Sequence, residues 1–149
     1  MRNRPRDDTV IHRVIRRRRE VWRPRDGKHP AIVGLARRWA RRVLPRVLTR
    51  PARPDLSGDL DLVLSELVTN AIKHGGGCTQ VELHTTDHML RLSVTDSRTV
   101  QPVVRQAFDL PRESGRGMFL VQSIARRWGV RRTPRHAGKA VWLELPLNR

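Results

Sequence analysis

Residues 55–74 constrain the fold more than any other part of the chain, because their apolar side chains recur at helical spacing without interruption. The pattern predicts an amphipathic helix with an apolar face made of Leu60, Val63, Leu64, Leu67, Val68 and Ala71. Ser57 is the predicted N-cap, and three consecutive glycines at 75–77 end the helix. Such a helix must bury its apolar face against a second layer of structure.

Alternation of apolar and polar residues after the glycines predicts two strands, 80–85 and 90–96, joined by a hairpin turn. The remaining predicted elements are a short strand, two helices and two closing strands, over 21–23, 31–43, 118–128, 130–133 and 140–145 respectively. Pro45 is expected to disrupt the first of these helices. Residues 97–116 show no period, which is typical of a lid or binding loop. This order predicts an α+β fold, a two-layer α/β sandwich whose mixed, mostly antiparallel sheet is covered by helices on one face.

Positive charge is concentrated in the first third of the chain. The formal net charge is +17, and residues 1–54 carry 18 basic and 4 acidic side chains, whereas residues 55–149 carry 13 and 10. We therefore divide the chain into a basic, solvated arm at 1–20 and a domain at 21–149. A solvated arginine-rich surface or an acidic protein partner accounts for the charge. Nucleic acid is the weaker alternative, because no zinc-finger or helix-turn-helix pattern supports it.

Several classes of protein are excluded by simple features. No apolar run approaches the roughly 20 residues of a membrane helix, and no apolar segment follows the basic N-terminus as in a signal peptide. We therefore expect a cytoplasmic protein that is not bound to a membrane. The lone cysteine, Cys78, excludes an internal disulfide and a multi-cysteine zinc site, and we interpret it as a small residue entering a strand.

One face of the helix over 55–74 carries four polar groups. Glu66, Asn70, Lys73 and His74 follow helical spacing, so their side chains share that face. An amide oxygen suits Mg²⁺, a cation that keeps several waters and is completed by phosphates. A carboxylate one turn away can act as general base on a water or hydroxyl. A solvated polar helix face explains the same residues equally well.

Two motifs further along the chain complete the candidate site. Asp96 ends an apolar strand, where a carboxylate can accept a hydrogen bond from an amino group such as that of adenine. An ordinary turn-forming aspartate is the alternative for this position. Gly115, Arg116 and Gly117 open the next predicted helix, whose free backbone N–H groups and dipole can bind an anion.

The order and spacing of these motifs resemble the GHKL ATPase superfamily, which includes histidine-kinase catalytic domains and DNA gyrase. Residues 66–74 look like its N box, residues 94–96 like its first glycine box, and residues 115–118 like its second. Closer still, the chain resembles the small stand-alone anti-sigma-factor serine kinases of bacteria, and the resemblance covers residues 22–146.

The resemblance implies ATP and Mg²⁺ as cofactors and gives each motif a role. Asn70 would ligate Mg²⁺, Glu66 would be the catalytic base, and Lys73 would lie near the phosphates. Asp96 would bind the adenine amino group, and residues 115–117 would bind phosphate. The implied function is an ATP-dependent serine/threonine kinase that binds a sigma factor and phosphorylates an anti-sigma-factor antagonist protein.

Two positions depart from the family pattern near the expected adenine site. Arg98 stands where the first glycine box usually has glycine, and Ala140 stands where the closing strand often has threonine. They favour an alternative function, a non-catalytic protein-interaction module in which nucleotide binding is weak or lost. Nucleic-acid binding through the arginine-rich first third is a third alternative. A homodimer through the helix that carries Trp39 is left open.

Overall fold

The computed structural model describes residues 18–86, 88–98, 115–133 and 138–148. Most of the predicted basic arm and most of the predicted loop, at 1–17 and 99–114, lie outside these residues. Within these described ranges there are eight elements: β1 (Arg19–Trp22), α1 (Ile32–Val47), α2 (Leu56–His74), β2 (Cys78–Thr85), β3 (Met89–Asp96), α3 (Gly115–Ile124), β4 (Arg127–Arg132) and β5 (Lys139–Pro146). Residues 19 and 20, which the charge pattern assigned to the arm, therefore belong to the sheet.

The five strands form one sheet in the order β1-β2-β3-β5-β4. The four pairings between the described strands are all antiparallel, where the prediction allowed a mixed sheet. Leu83 pairs with Leu92, which in turn pairs with Leu143, so the apolar residues of three neighbouring strands lie on one face. The predicted α+β fold, with helices packed on a sheet, is confirmed.

The hydrophobic core lies between this face of the sheet and the helices. The sheet contributes completely buried residues at alternate positions, namely Val81, Leu83, Leu90, Leu92, Leu143 and Leu145. The helices contribute Trp39 and Val43 from α1, Leu60 and Leu64 from α2, and Met118 from α3. Each large apolar side chain removed from water contributes about 1.5–3 kcal/mol, so this layer outweighs local helix propensity. No helix in the described ranges is both long and apolar enough to cross a bilayer.

The opposite face of the sheet is polar, and a buried carboxylate organises it. Glu144 on β5 is 2% exposed and accepts hydrogen bonds from Arg91 on β3 and Arg127 on β4. Burial raises the pKa of Glu144, but the hydrogen bonds from Arg127 and Arg91 outweigh burial and hold that pKa below its usual range. The Arg91 guanidinium also lies 4.3 Å from the centre of the Trp142 ring. Three neighbouring strands are thereby joined.

A second carboxylate, Glu82, stabilises the β1 edge of the same sheet. It forms an ion pair with Arg19 at 2.7 Å, and the His84 Nδ1 lies 3.5 Å from its other carboxylate oxygen. The hydrogen bond with His84, helped by Arg19 and opposed by burial, lowers the pKa of Glu82 to about 2.

The boundaries of the first two helices differ from the prediction. Pro45 lies inside α1, which continues to Val47, because Leu44 and Val47 bury their side chains and only one turn follows the proline. Asp55 rather than Ser57 occupies the N-cap of α2, and its carboxylate pairs with Arg53 instead of capping the helix.

The last predicted helix also ends earlier than its apolar pattern indicated. α3 covers Gly115–Ile124, and Trp128 belongs to β4, where it pairs with Leu143. The helix and the strand are separated by only two residues, so the apolar positions of the strand extended the helical pattern.

Candidate functional site

Glu66 and Asn70 lie one turn apart on α2 and both face the first turns of α3. The Asn70 Nδ2 donates a hydrogen bond to the Met118 Sδ at 3.2 Å. Gly117 lies so close to the Glu66 carboxylate that a Cβ at this position would overlap it. Only glycine therefore allows α3 to approach the carboxylate this closely. The structure thus brings together two of the three sequence motifs, which are separated by about 50 residues in the chain.

The start of α3 carries the groups expected to bind phosphate. Gly115, Arg116 and Gly117 form the first turn of this helix, where backbone N–H groups have no partner within the helix. Such a turn attracts anions through these donors and through the helix dipole. The Arg116 side chain lies outside what the structure describes, and its role stays a prediction.

The remaining polar residues of α2 are placed differently. Lys73 is exposed, and no hydrogen bond or ion pair joins it to another residue in the described ranges. His74 is half-buried, and its backbone carbonyl accepts a hydrogen bond from the Arg98 Nη1 at 2.7 Å. Arg98 thus contacts the end of α2 from the position where the family has glycine.

Asp96, at the end of β3, is 4% exposed and lies against the same C-terminal end of α2. Gly75 follows α2 directly, and a Cβ there would overlap the Asp96 carboxylate. The Oδ1 atom of Asp96 accepts hydrogen bonds from the backbone N–H groups of Arg98 at 3.1 Å and Lys139 at 3.4 Å. Its Oδ2 atom forms an ion pair with the Lys139 ammonium. A buried carboxylate requires such partners, because its desolvation is otherwise very costly.

Lys139 is the residue of this region that the sequence analysis missed. Ala140 pairs with Thr95, so Lys139 at the start of β5 lies level with Asp96. Only the alignment of β3 with β5 reveals the contact, because the two residues are 43 positions apart. Ala140 itself is buried and offers no hydroxyl.

The residues present fit Mg²⁺ and the phosphates of a nucleotide better than they fit adenine. In the described ranges no three His, Cys, Asp or Glu side chains gather into a metal site of their own. One amide oxygen beside an anion-binding helix turn instead suits a cation that keeps its waters and is completed by phosphates. At the C-terminal end of α2, the Asp96 Oδ2 atom already faces the Lys139 ammonium, so an adenine amino group would compete with that ammonium for the same oxygen.

In this structure a helix that carries a carboxylate–amide pair packs on an antiparallel sheet, and one strand of that sheet ends in a buried aspartate. This is the arrangement of GHKL ATPases. The sequence profile of the histidine kinase-like ATPase domain matches residues 28–145, and the chain belongs to this family. The predicted resemblance to the superfamily is confirmed. Membership implies an ATP-binding domain of the histidine kinase-like type.

A solved structure has a similar fold. It is the histidine kinase domain from the Erythrobacter litoralis EL346 blue-light activated histidine kinase, with a TM-score of 0.50 and 21% sequence identity. The match covers 79% of this chain and 60% of that domain, and at this identity it shows the fold alone. A comparison with curated proteins finds no match. The roles predicted for individual site residues stay predictions.

Proposed function

We propose that this chain is an ATP-dependent protein kinase that transfers a phosphoryl group to a serine or threonine of a small antagonist protein, and that it binds a sigma factor. The observation that supports it best is the contact between α2 and α3. There a carboxylate, an amide and the first turn of a helix lie side by side. Phosphoryl transfer needs mainly positioning and charge stabilisation, and these groups can supply both.

Each residue has a specific part in this proposal. The amide oxygen of Asn70 would hold the cation, and the backbone N–H groups at the start of α3 would hold phosphate oxygens. Bound Mg²⁺-ATP supplies the phosphoryl group that is transferred. Glu66 would accept the proton that the substrate hydroxyl loses as its oxygen bonds to the γ-phosphorus, while the bond from that phosphorus to the β-phosphate oxygen breaks and ADP leaves. Half-burial of Glu66 against Gly117 keeps its carboxylate oriented and limits access of water.

The carboxylate also supports a hydroxyl as the phosphate acceptor. A serine or threonine hydroxyl must lose its proton during the transfer, so a general base accelerates the reaction. A neutral histidine nitrogen already offers a lone pair, and a base is less useful there. The predicted preference for serine or threonine therefore depends on Glu66.

The experiment combines a nucleotide-binding assay with a transfer assay. Purified chain is titrated with Mg²⁺-ATP by calorimetry, and transfer of labelled phosphate to a purified anti-sigma-factor antagonist of the same organism is followed. Glu66→Gln should lower the transfer rate at least about 100-fold, since general base catalysis contributes about 10²–10⁴-fold. It should change ATP affinity by less than about twofold, because the amide has the same shape. The matched control, Asp61→Asn, makes the same change on the side of α2 that contacts Arg41 of α1, away from α3, and should be active. Absence of saturable ATP binding would refute the proposal.

A non-catalytic interaction module is the second candidate, and the Asp96–Lys139 ion pair favours it. In that case nucleotide binding is weak because Lys139 occupies the carboxylate that would recognise adenine. The same variant separates the two candidates. If Glu66→Gln regulates the sigma factor as well as the wild type in the presence of the antagonist and ATP, the interaction module is correct.

A further inference from the structure

A cavity of about 610 Å³ lies between β1, the turn that follows it, and α1, and it contains none of the residues of the candidate site. Its larger apolar lining residues are Trp22, Ile32, Leu35 and Trp39. The rings of Trp22 and Trp39 are stacked, with centroids 6.3 Å apart and an angle of 23° between their planes. Leu35 is 43% exposed, although it lies on the same side of α1 as buried residues. We call this feature the tryptophan groove.

Four exposed arginines surround the tryptophan groove: Arg23, Arg25, Arg38 and Arg42. Asp26 is the one acidic residue among those that line it. In the described part of the chain none of the four arginines forms an ion pair, whereas Arg41, on the same helix, pairs with Asp61. The groove therefore combines an apolar floor with positive charge that the chain itself does not balance.

We propose that the tryptophan groove binds an acidic amphipathic helix of a partner protein. An apolar side chain of that helix would cover Leu35 and the tryptophans, and its carboxylates would pair with the arginines. Arg38 and Arg42 are four residues apart on α1, a spacing that matches carboxylates placed at i and i+4 on a facing helix. This surface is independent of the ATP site, so the inference does not depend on the proposed kinase activity.

The described contacts argue against other occupants. A nucleic-acid base needs a free aromatic face, but the two tryptophans stack on each other and Trp39 is only 6% exposed. A second copy of the chain in a symmetric dimer would bring one arginine rim against another. The segment at 1–17 carries six arginines against two aspartates, so the rim would repel it as well.

The test uses a fluorescently labelled, 18-residue helical peptide of glutamate, alanine and a single leucine stripe, and it measures binding to the full chain by anisotropy. Companion peptides replace every leucine with serine or every glutamate with lysine, and a 12-nucleotide oligothymidine serves as the nucleic-acid probe. The acidic leucine peptide should bind saturably below about 1 mM. The three companion probes should bind at least about tenfold more weakly.

The variants divide the groove into its charged and apolar parts. Arg38→Glu with Arg42→Glu should weaken binding at least about tenfold, because two attractive charges become repulsive. Leu35→Ser, at an exposed position that tolerates the change, should weaken it at least about fivefold. The matched control, Arg131→Glu with Arg132→Glu, makes the same change of charge on β4 at the opposite edge of the sheet. It should alter binding by less than about twofold, and circular dichroism establishes that each variant is folded.

Four results would overturn the proposal. The first is no saturable binding of the acidic leucine peptide. The second is a serine peptide that binds as tightly as the leucine peptide, or a β4 control that loses as much affinity as the Arg38→Glu, Arg42→Glu variant. Either result would show that binding depends on the overall positive charge and not on the groove. The third is groove-dependent binding of oligothymidine in preference to the peptide. The fourth is a dimer in sedimentation analysis that Leu35→Ser dissociates, since a second copy would then occupy the groove.

Discussion

Replacing Lys139 with methionine should weaken the fold and at the same time tighten ATP binding. Methionine keeps most of the aliphatic stem and removes the ammonium that pairs with Asp96. The two side chains are 15% and 6% exposed, so solvent screens their interaction little. Without nucleotide, Lys139→Met leaves the buried carboxylate only two backbone donors. The free energy of unfolding should fall by about 3 kcal/mol, as for other buried pairs that lose one partner.

The effect on nucleotide affinity has the opposite sign. In the wild type, an adenine amino group must compete with the ammonium for the Asp96 carboxylate. A hydrogen bond to a charged group contributes about 1.5–3 kcal/mol. Because about 1.4 kcal/mol corresponds to a factor of ten, the Kd for Mg²⁺-ATP should fall by about ten- to one-hundred-fold in Lys139→Met. A variant that merely disturbs the fold would lose stability and affinity together.

Calorimetric titration with Mg²⁺-ATP and urea unfolding measure the two quantities on the same samples. Arg91→Met is the control, because it removes one partner of a different buried carboxylate, Glu144, on the polar face of the sheet. It should lower the free energy of unfolding and leave the Kd unchanged. An unchanged or weaker affinity in Lys139→Met would show that the ammonium does not compete with adenine, and the reasoning about Asp96 would then be wrong.

Three further predictions follow from other contacts. Gly117→Ala should lower the rate of phosphoryl transfer at least about tenfold, because the alanine Cβ would displace the Glu66 carboxylate. The control Gly58→Ala, where a Cβ meets no other atom, should retain activity and be slightly more stable. Glu82, with its pKa lowered to about 2, stabilises the fold fully above about pH 4.5, and this contribution is lost as the pH falls toward 2. Urea unfolding should therefore show an acid-dependent loss of at most about 3 kcal/mol that is missing in Glu82→Gln. Burial raises the pKa of the Cys78 thiol to about 11. The thiol should therefore resist Ellman's reagent at pH 8 until urea unfolds the chain. A thiol of the native protein that reacts at once would contradict its buried position.

The sequence by itself determined most of the helices and strands and the side chains that α2 brings to the candidate site. Helical and alternating periods are local properties of the chain, so α2, β2 and β3 were predicted within a few residues. Glu66 and Asn70 share one helix, and their common face follows from spacing alone. Boundaries were less certain where burial competes with local preference, as at Pro45 in α1 and at Trp128, where helix and strand patterns overlap.

The tertiary structure decided which distant residues meet. The approach of Gly117 to Glu66 depends on how α3 packs on α2, and the Asp96–Lys139 pair depends on the register of two strands. Neither can be read from local spacing, because packing and register are set by the burial of the whole apolar face. The tryptophan groove arises in the same way, since Trp22 and Trp39 stack only after β1 joins the sheet edge and α1 covers it.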